Sequence, residues 1–357
     1  MNISAREYKP KMDEVRRVLS TKIYDNHLAI LMALAAMICR KHILLTSLRG
    51  RGKTAMSRFF QMIIEGAVEA RIQGTPELMG SDFTGKPIFD EKVREYIVKW
   101  ARAMTAHVVL FDEINRMLEA IQAFLMELLE EGQMTIDGET FRLPPFHFWI
   151  GTRNPEGQAG TTKMSDPLRD RFILDVDMKF PEREALIDLG YNTKLHRNVD
   201  EIRPLLTMDE IVAMGEYNDH MVETMSRSVA GYAADLTSVL QSDLPEFRKL
   251  KVVPDPRKDP QMEKDRLKGL LGKSIYDLQV LDDGLSPRAY IWMRHAACAL
   301  AFLDGLEEPE DTHIDKVWIP TGRHKLMVRP IARAMGITAV DILNSAQAYV
   351  KQLRHRG

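Results

Sequence analysis

The chain has 357 residues, enough to bury a full core and to form two domains rather than one. Hydrophobic residues make up 45% and charged residues 28%, and the formal net charge of −2 gives no global pull toward nucleic acid or an anionic membrane. Two cysteines, Cys39 and Cys298, exclude a disulfide framework or a cysteine metal site.

The N-terminal stretch is polar and charged, without the apolar segment of a signal peptide. The longest apolar run, Leu28 to Cys39, is too short to span a bilayer and is followed by Arg40, Lys41 and His42, so it reads as a buried core helix. A cytoplasmic protein is expected. Residues 11–40 read as one or two helices leading into a first strand, Ile43 to Thr46. The loop SLRGRGKT follows, and then a helix with Met56, Phe59, Phe60, Ile63 and Ile64 on one face.

A loop-rich stretch with a hairpin around Asp90 to Arg94 comes next, then a second strong strand, His107 to Phe111. The run INRMLEAIQAFLMELLEEG reads as one helix capped near Gly132. Asp137-Gly138 between short alternating runs is the strongest hairpin signal in the chain. His147 to Asn154 reads as a third core strand, and strands alternating with helices argue for a mainly parallel sheet. Beyond Phe180-Pro181 the pattern turns helical, with no strong strand. The charged segment 243–272 reads as an insertion or mobile linker with a solvated face, and the basic residues from Lys316 onward as an exposed helical tail.

The chemistry lies where strands end. Backbone N–H groups of a Gly-rich loop at a helix N-terminus surround phosphate oxygens, and the helix dipole favours their charge. Lys53 would reach the β- and γ-phosphates and the Thr54 hydroxyl would ligate Mg²⁺, with Gly50 and Gly52 permitting close approach. Asp112 and Glu113 end an apolar strand, where ligands bind in open α/β sheets. Asp112 can hold Mg²⁺ through water, and Glu113 can orient and polarise the attacking water. Asn154 offers a hydrogen bond to that water or the γ-phosphate, and Arg171 a charge for the transferred phosphoryl group.

These segments resemble an AAA+ ATPase of the MoxR family. SLRGRGKT is similar to its Walker A, FDEINRM to its Walker B and GTRNP to its sensor 1 segment. PELMGSDFTGKPIFD resembles the helix-2 insert, GQMTIDGETFRLPPFHF the pre-sensor 1 hairpin, SDPLRDRF the arginine-finger segment and LSPRA the lid motif of sensor 2. The resemblance implies an α/β P-loop NTPase core with a mainly parallel five-stranded sheet over residues 1–182, followed by a helical lid over 183–357. The lid would carry the 243–272 insertion and a C-terminal helical extension.

It also implies ATP and Mg²⁺ as cofactors. The nucleotide would be held by Ser47, Gly50, Arg51, Gly52, Lys53, Thr54, Ala55 and Arg288, the metal by Thr54 and Asp112. Lys53, Glu113 and Asn154 would act in the same subunit, and Arg171 in its neighbour's site. An arginine supplied in trans implies a ring, expected to be a hexamer. The implied work is remodelling, assembly or activation of a protein client, with a partner bearing a von Willebrand factor A domain. Two alternatives stay open, a nucleic-acid-dependent motor and the ATPase subunit of a metal chelatase. The near-neutral charge and the acidic hairpin tip Asp137-Gly138-Glu139 weigh against the first.

Besides the 243–272 insertion, which is not part of the family pattern, the chain departs from that pattern in four places. Ser47 stands where the first loop glycine is usual, Arg49 and Arg51 lie within the loop, and no Gly-Gln pair occurs around Tyr24 to His27. Arg169 lies two residues from Arg171 and offers the same chemistry.

Overall fold

A computed structural model describes residues 3–47, 52–92, 94–155, 164–191, 202–241, 243–256 and 258–355. The chain divides into two compact units. The first is Met1–His220 with Phe302–Glu307, and the second is Met221–Ala301 with Glu308–Gly357. The 182/183 boundary drawn from the sequence lies earlier than this division.

In the first unit, α1 (Ala5–Lys22) starts on a Ser4 cap that accepts the Glu7 N–H, and it buries Met12, Val15 and Leu19. The spacing of these residues is that of one helical face. Helix α2 (His27–Ile38) is buried nearly all round, as its continuous apolar sequence requires, and packs on the sheet. Strand β1 (His42–Thr46), α3 (Lys53–Met62) and β2 (Glu69–Gln73) follow. Then come α4 (Gly80–Thr84), the hairpin β3 (Gly85–Asp90) and β4 (Glu95–Trp100), α5 (Arg102–Thr105) and β5 (Val108–Asp112). Helix α6 (Glu119–Glu131) leads into the hairpin β6 (Gln133–Ile136) and β7 (Glu139–Arg142), whose turn has both Asp137 and Gly138 at positive φ. Strand β8 (Phe148–Arg153), α7 (Asp166–Asp170), β9 (Phe172–Asp177) and α8 (Arg183–Tyr191) complete the series up to α9 (Met208–Thr224).

The sheet is five-stranded and entirely parallel, in the order β2-β5-β8-β1-β9. Successive side chains of a strand leave opposite faces. Phe148 accordingly meets Phe60 of α3, with ring centroids 5.6 Å apart, while Trp149 enters the opposite layer with Phe83, Phe111, Leu125, Leu128 and Phe172. Burying each of these large side chains stabilises the fold by about 1.5–3 kcal/mol. Trp100 packs on Phe141 with centroids 5.0 Å apart, so the two hairpins touch one another.

Two strands of this sheet were not legible beforehand. EARIQ and FILDVD carry acids and an arginine that broke the expected apolar run; β2 and β9 are the two edges, where Arg71 is exposed, and the buried Asp175 is paired with Arg153. The helix expected from Ile114 is also divided. A short 3₁₀ turn covers Ile114–Arg116, and α6 begins only after Met117 and Leu118 adopt extended backbone.

The second unit is built on α10 (Arg227–Ser238), α11 (Pro260–Arg266), α12 (Pro287–Leu303), α13 (Asp311–Gly322), α14 (Pro330–Ala334) and α15 (Ala339–Arg354). A two-stranded antiparallel pair, β10 (Leu281–Asp283) with β11 (Met327–Val328), lies within it, where no strand was expected. Helices α10, α13 and α15 pack together, and the Trp318 indole N–H donates to the Leu343 carbonyl at 2.9 Å.

The described part of the 243–272 segment is not a free linker. It buries Phe247, Leu250, Val252 and Leu267, and Arg266 bridges Glu263 and Asp341 at 2.6 Å each. Hydrogen bonds from Arg266 hold the Glu263 carboxyl well below the usual range, at about 2. Its charges are thus partly internal to the fold. Among the described residues no helix is long and apolar enough to cross a membrane.

Candidate functional site

The C-terminal ends of β1, β5 and β8 bring most of the expected residues together. Gly52, at φ 82°, precedes α3 and turns the chain into it. That left-handed backbone favours glycine because a side chain there is strained. Lys53 is the first residue of α3 and is 8% exposed, with its Nζ 3.8 Å from Asp112 Oδ1. Thr54, exposed, and Ala55, half-buried, follow in the same first turn. Ser47 is buried, and its N–H donates to the Arg153 carbonyl at 3.0 Å. Gly50 and Arg51 lie outside the described residues.

Asp112 is 7% exposed and is held from three directions. The Thr152 hydroxyl donates to Oδ1 at 2.6 Å, Arg71 donates to Oδ2 at 2.8 Å, and Lys53 stands beyond Oδ1. Thr152 also accepts the Glu113 N–H at 2.9 Å, so one hydroxyl aligns both acids. Glu113 itself has φ 55° and ψ 45°. A non-glycine residue in this region costs about 1–3 kcal/mol, and such strain persists only where surrounding contacts enforce it. Here the contact is close. A Cβ on Gly74 would collide with the Glu113 carbonyl and lie 3.2 Å from the Asp112 oxygen, while the Gly74 N–H donates to the Asp112 carbonyl at 2.7 Å. Glycine at 74 therefore lets the end of β2 support the turn that swings Glu113 out of the strand.

The Glu113 carboxylate accepts from Asn154 Nδ2 at 3.2 Å and from Gln73 Nε2 at 3.2 Å, and pairs with Arg116 Nε at 3.1 Å. Asn154 is fully buried and is fixed through its backbone. Its N–H donates to Asn115 Oδ1 at 3.3 Å, and its carbonyl accepts from Asn115 Nδ2 at 3.2 Å. Among the described residues its own Oδ1 is buried without a hydrogen-bond partner. Arg153 donates to Thr46 Oγ1 at 2.9 Å and to Asp175 Oδ2 at 2.6 Å, and Thr46 donates to Asp175 Oδ1 at 2.8 Å. This triad ties together β1, β8 and β9 near their C-terminal ends.

One expected residue of the first unit is not in this cluster. Arg171 precedes β9, whose first residue, Phe172, pairs with His42, whereas the cluster lies level with Thr46 and Asp177. It therefore stands at the opposite end of the parallel strands, paired with Glu130, while Arg169 is 7% exposed and paired with Asp166. Arg288 lies in the first turn of α12, in the second unit, half-buried.

Thr152, Arg71, Gln73, Asn115, Arg116, Arg153, Asp175 and Gly74 were not singled out beforehand. Thr152 and Arg153 were visible inside GTRNP, and Asn115 and Arg116 inside FDEINRM. Arg71, Gln73 and Gly74 carried no signal, because β2 itself was not legible.

Chemically, the cluster suits a magnesium nucleotide. A helix N-terminus and a lysine face phosphate charge, Asp112 and Thr54 supply the hard oxygens that Mg²⁺ prefers, and Asn154 Oδ1 is a buried acceptor still to be satisfied.

The family model of the ATPase family associated with various cellular activities (AAA) matches residues 42–174, and that of the AAA lid domain matches residues 281–346. The uncharacterised protein YeaC of Bacillus subtilis is 30% identical over 341 residues, covering 95% of this chain and 93% of its own. Protein MoxR of Methylorubrum extorquens is 24% identical over 325 residues, covering 88% and 87%. This chain belongs to the MoxR family of AAA+ ATPases.

It is accordingly an ATP hydrolase, and it binds nucleotide. The chaperone MoxR1 of Mycobacterium tuberculosis is 28% identical over 200 residues, 55% of this chain and 52% of that one. The crystal structure of a proposed ATPase from Cytophaga hutchinsonii has the same fold, with a TM-score of 0.78 at 21% identity, covering 97% and 96% of the two chains.

Proposed function

We propose that this MoxR-family ATPase works as a ring, of six subunits, that couples ATP hydrolysis to remodelling, assembly or activation of a protein client. A partner with a von Willebrand factor A domain would bring the client. The observation that carries this reading is the strained Glu113, aligned by Thr152, held by Asn154 and set beside the buried Asp112. Such a precise and costly arrangement at the end of a parallel strand supports in-line attack of water on a phosphoanhydride.

In this reading Ser47, Gly50, Arg51, Gly52, Thr54 and Ala55 contact the nucleotide, and Lys53 binds the β- and γ-oxygens. Glu113 polarises the attacking water and Asn154 fixes its direction. A magnesium ion bound through Thr54 and Asp112 would neutralise phosphate charge. Arg288 would approach the nucleotide from the lid of the same subunit.

Arg171 lies at the far end of the strands from Lys53, which suits a residue offered to a neighbour's site rather than its own. The chaperone name carried by the mycobacterial relative favours a protein client. So does the β3-β4 hairpin, where Phe89 and Tyr96 meet edge to face with centroids 5.4 Å apart yet stay 52% and 71% exposed.

The test is the Glu113→Gln form. It should bind ATP as the parent does, lose turnover by at least about 100-fold, and retain a von Willebrand factor A domain protein on affinity purification with ATP. Turnover near the parental rate would remove Glu113 from its role. A trapped ring that never holds or alters a protein would remove the client.

A further inference from the structure

The outward face of the edge strand β2 carries Glu69, Arg71 and Gln73 in a row, while Ala70 and Ile72 turn into the core. One residue of that row, Arg71, reaches the acid at the centre of the site. Its NH2 group donates to Asp112 Oδ2 at 2.8 Å and to Gln73 Oε1 at 3.1 Å, and Gln73 in turn donates to Glu113 Oε2 at 3.2 Å. The guanidinium side chain is 51% exposed, whereas the Asp112 side chain is 11% exposed.

We propose that Arg71 is a positioning residue that competes with the divalent cation for Asp112 and so sets the magnesium requirement of the site. The inference rests on Asp112 being the carboxylate that faces the metal. Asp112 already has two cationic neighbours, Arg71 on Oδ2 and Lys53 beyond Oδ1. A buried carboxylate balanced in this way can be left without a metal at little cost, because its charge is not stranded. A divalent ion approaching it must do so against the guanidinium, and like charges a few ångströms apart in a partly desolvated site repel strongly. Arg71 can leave because half of its surface already faces water, and its departure takes a donor away from Gln73. Loading of Asp112 is thereby communicated to the group that holds Glu113.

The proposal is tested by titrating Mg²⁺ against binding of a fluorescent ADP analogue to the full chain, in the parent, Arg71→Gln and Arg71→Lys. The midpoint should fall about three- to tenfold in Arg71→Gln and stay near the parent in Arg71→Lys. Thermal unfolding gives a readout independent of activity. Arg71→Gln should melt below the parent without metal, and the difference should close when Mg²⁺ and ADP are present.

An unchanged or raised midpoint overturns the proposal. So does a melting deficit of equal size with and without metal, because that is the mark of a purely structural arginine. If Mg²⁺ changes neither ADP binding nor melting of the parent, the metal reading of Asp112 fails as well. A parental response that Arg71→Gln leaves untouched sinks the competition alone.

Discussion

Asn154 donates to Glu113 Oε1 at 3.2 Å while its own Oδ1 is buried with no partner among the described residues. The donated bond holds the carboxylate, and the remaining oxygen is a directed acceptor beside it. Asn115 locks the Asn154 backbone in both directions, so the side chain has little freedom to drift. One side chain thus addresses both the proposed base and the space next to it.

Asn154→Ala should therefore lower ATP turnover by about 10- to 100-fold while nucleotide affinity changes less than threefold, since a positioning hydrogen bond acts mainly in the transition state. Steady-state hydrolysis and equilibrium binding on the same preparation decide it. An equal loss in both would place Asn154 in nucleotide binding instead.

The position of Arg171 makes a prediction about assembly. Arg171→Ala and Glu113→Gln subunits should each be inactive alone, yet recover hydrolysis when mixed and reassembled. In a mixed ring, some interfaces join an intact Glu113 to an intact Arg171 of the neighbour. Failure to recover, in rings shown to be mixed, would confine both residues to one subunit. The same mixing with Arg169→Ala identifies which arginine crosses the interface.

Gly74 supports Glu113 by having no side chain. Gly74→Ala should cost about 1–3 kcal/mol in urea unfolding, the usual range for overpacking against an unyielding neighbour. It should also reduce turnover, because the only relief is to move the Glu113 carbonyl. Normal stability with normal turnover would show that the turn is less constrained than this contact implies.

Acid should weaken the core through His42. Burial, followed by the charges of His147 and Lys41, holds this imidazole well below its ordinary value of 6.5, and its Nδ1 accepts the Trp149 N–H at 3.3 Å. Burial likewise lowers His147 and His107. The unfolded chain then binds protons that the folded chain does not, so stability is full above about pH 6.5 and falls as pH drops below it. The loss for His42 should be about 1 kcal/mol over the first pH unit. Urea midpoints at pH 7.5 and 5.5 measure it, in a window above the titration of most carboxylates. An equal midpoint at both would count against it.

Much of the site was open to reading because its parts are local. Lys53 and Thr54 follow a Gly-rich loop, Asp112 and Glu113 end an apolar strand, and Asn154 ends another, so each motif carries its own context. The 243–272 segment shows the limit. Run of charge alone suggested a mobile linker, but Arg266 finds Glu263 nearby and Asp341 seventy-five residues later, a partnership that no local pattern encodes.

Local order along the chain was thus sufficient for which residues end the central strands and where the hairpin of Asp137-Gly138 turns. Those features depend on neighbours within a few positions and on the periodicity of strand and helix. The tertiary structure alone decided the partners across the sheet. Parallel strands with order β2-β5-β8-β1-β9 place Arg71, Gln73 and Gly74 beside Asp112 and Glu113, and Thr152 between the two acids. The register of strands separated by tens of residues is set by packing of both faces at once, so a threonine or an edge arginine acquires its meaning only when the sheet closes around it.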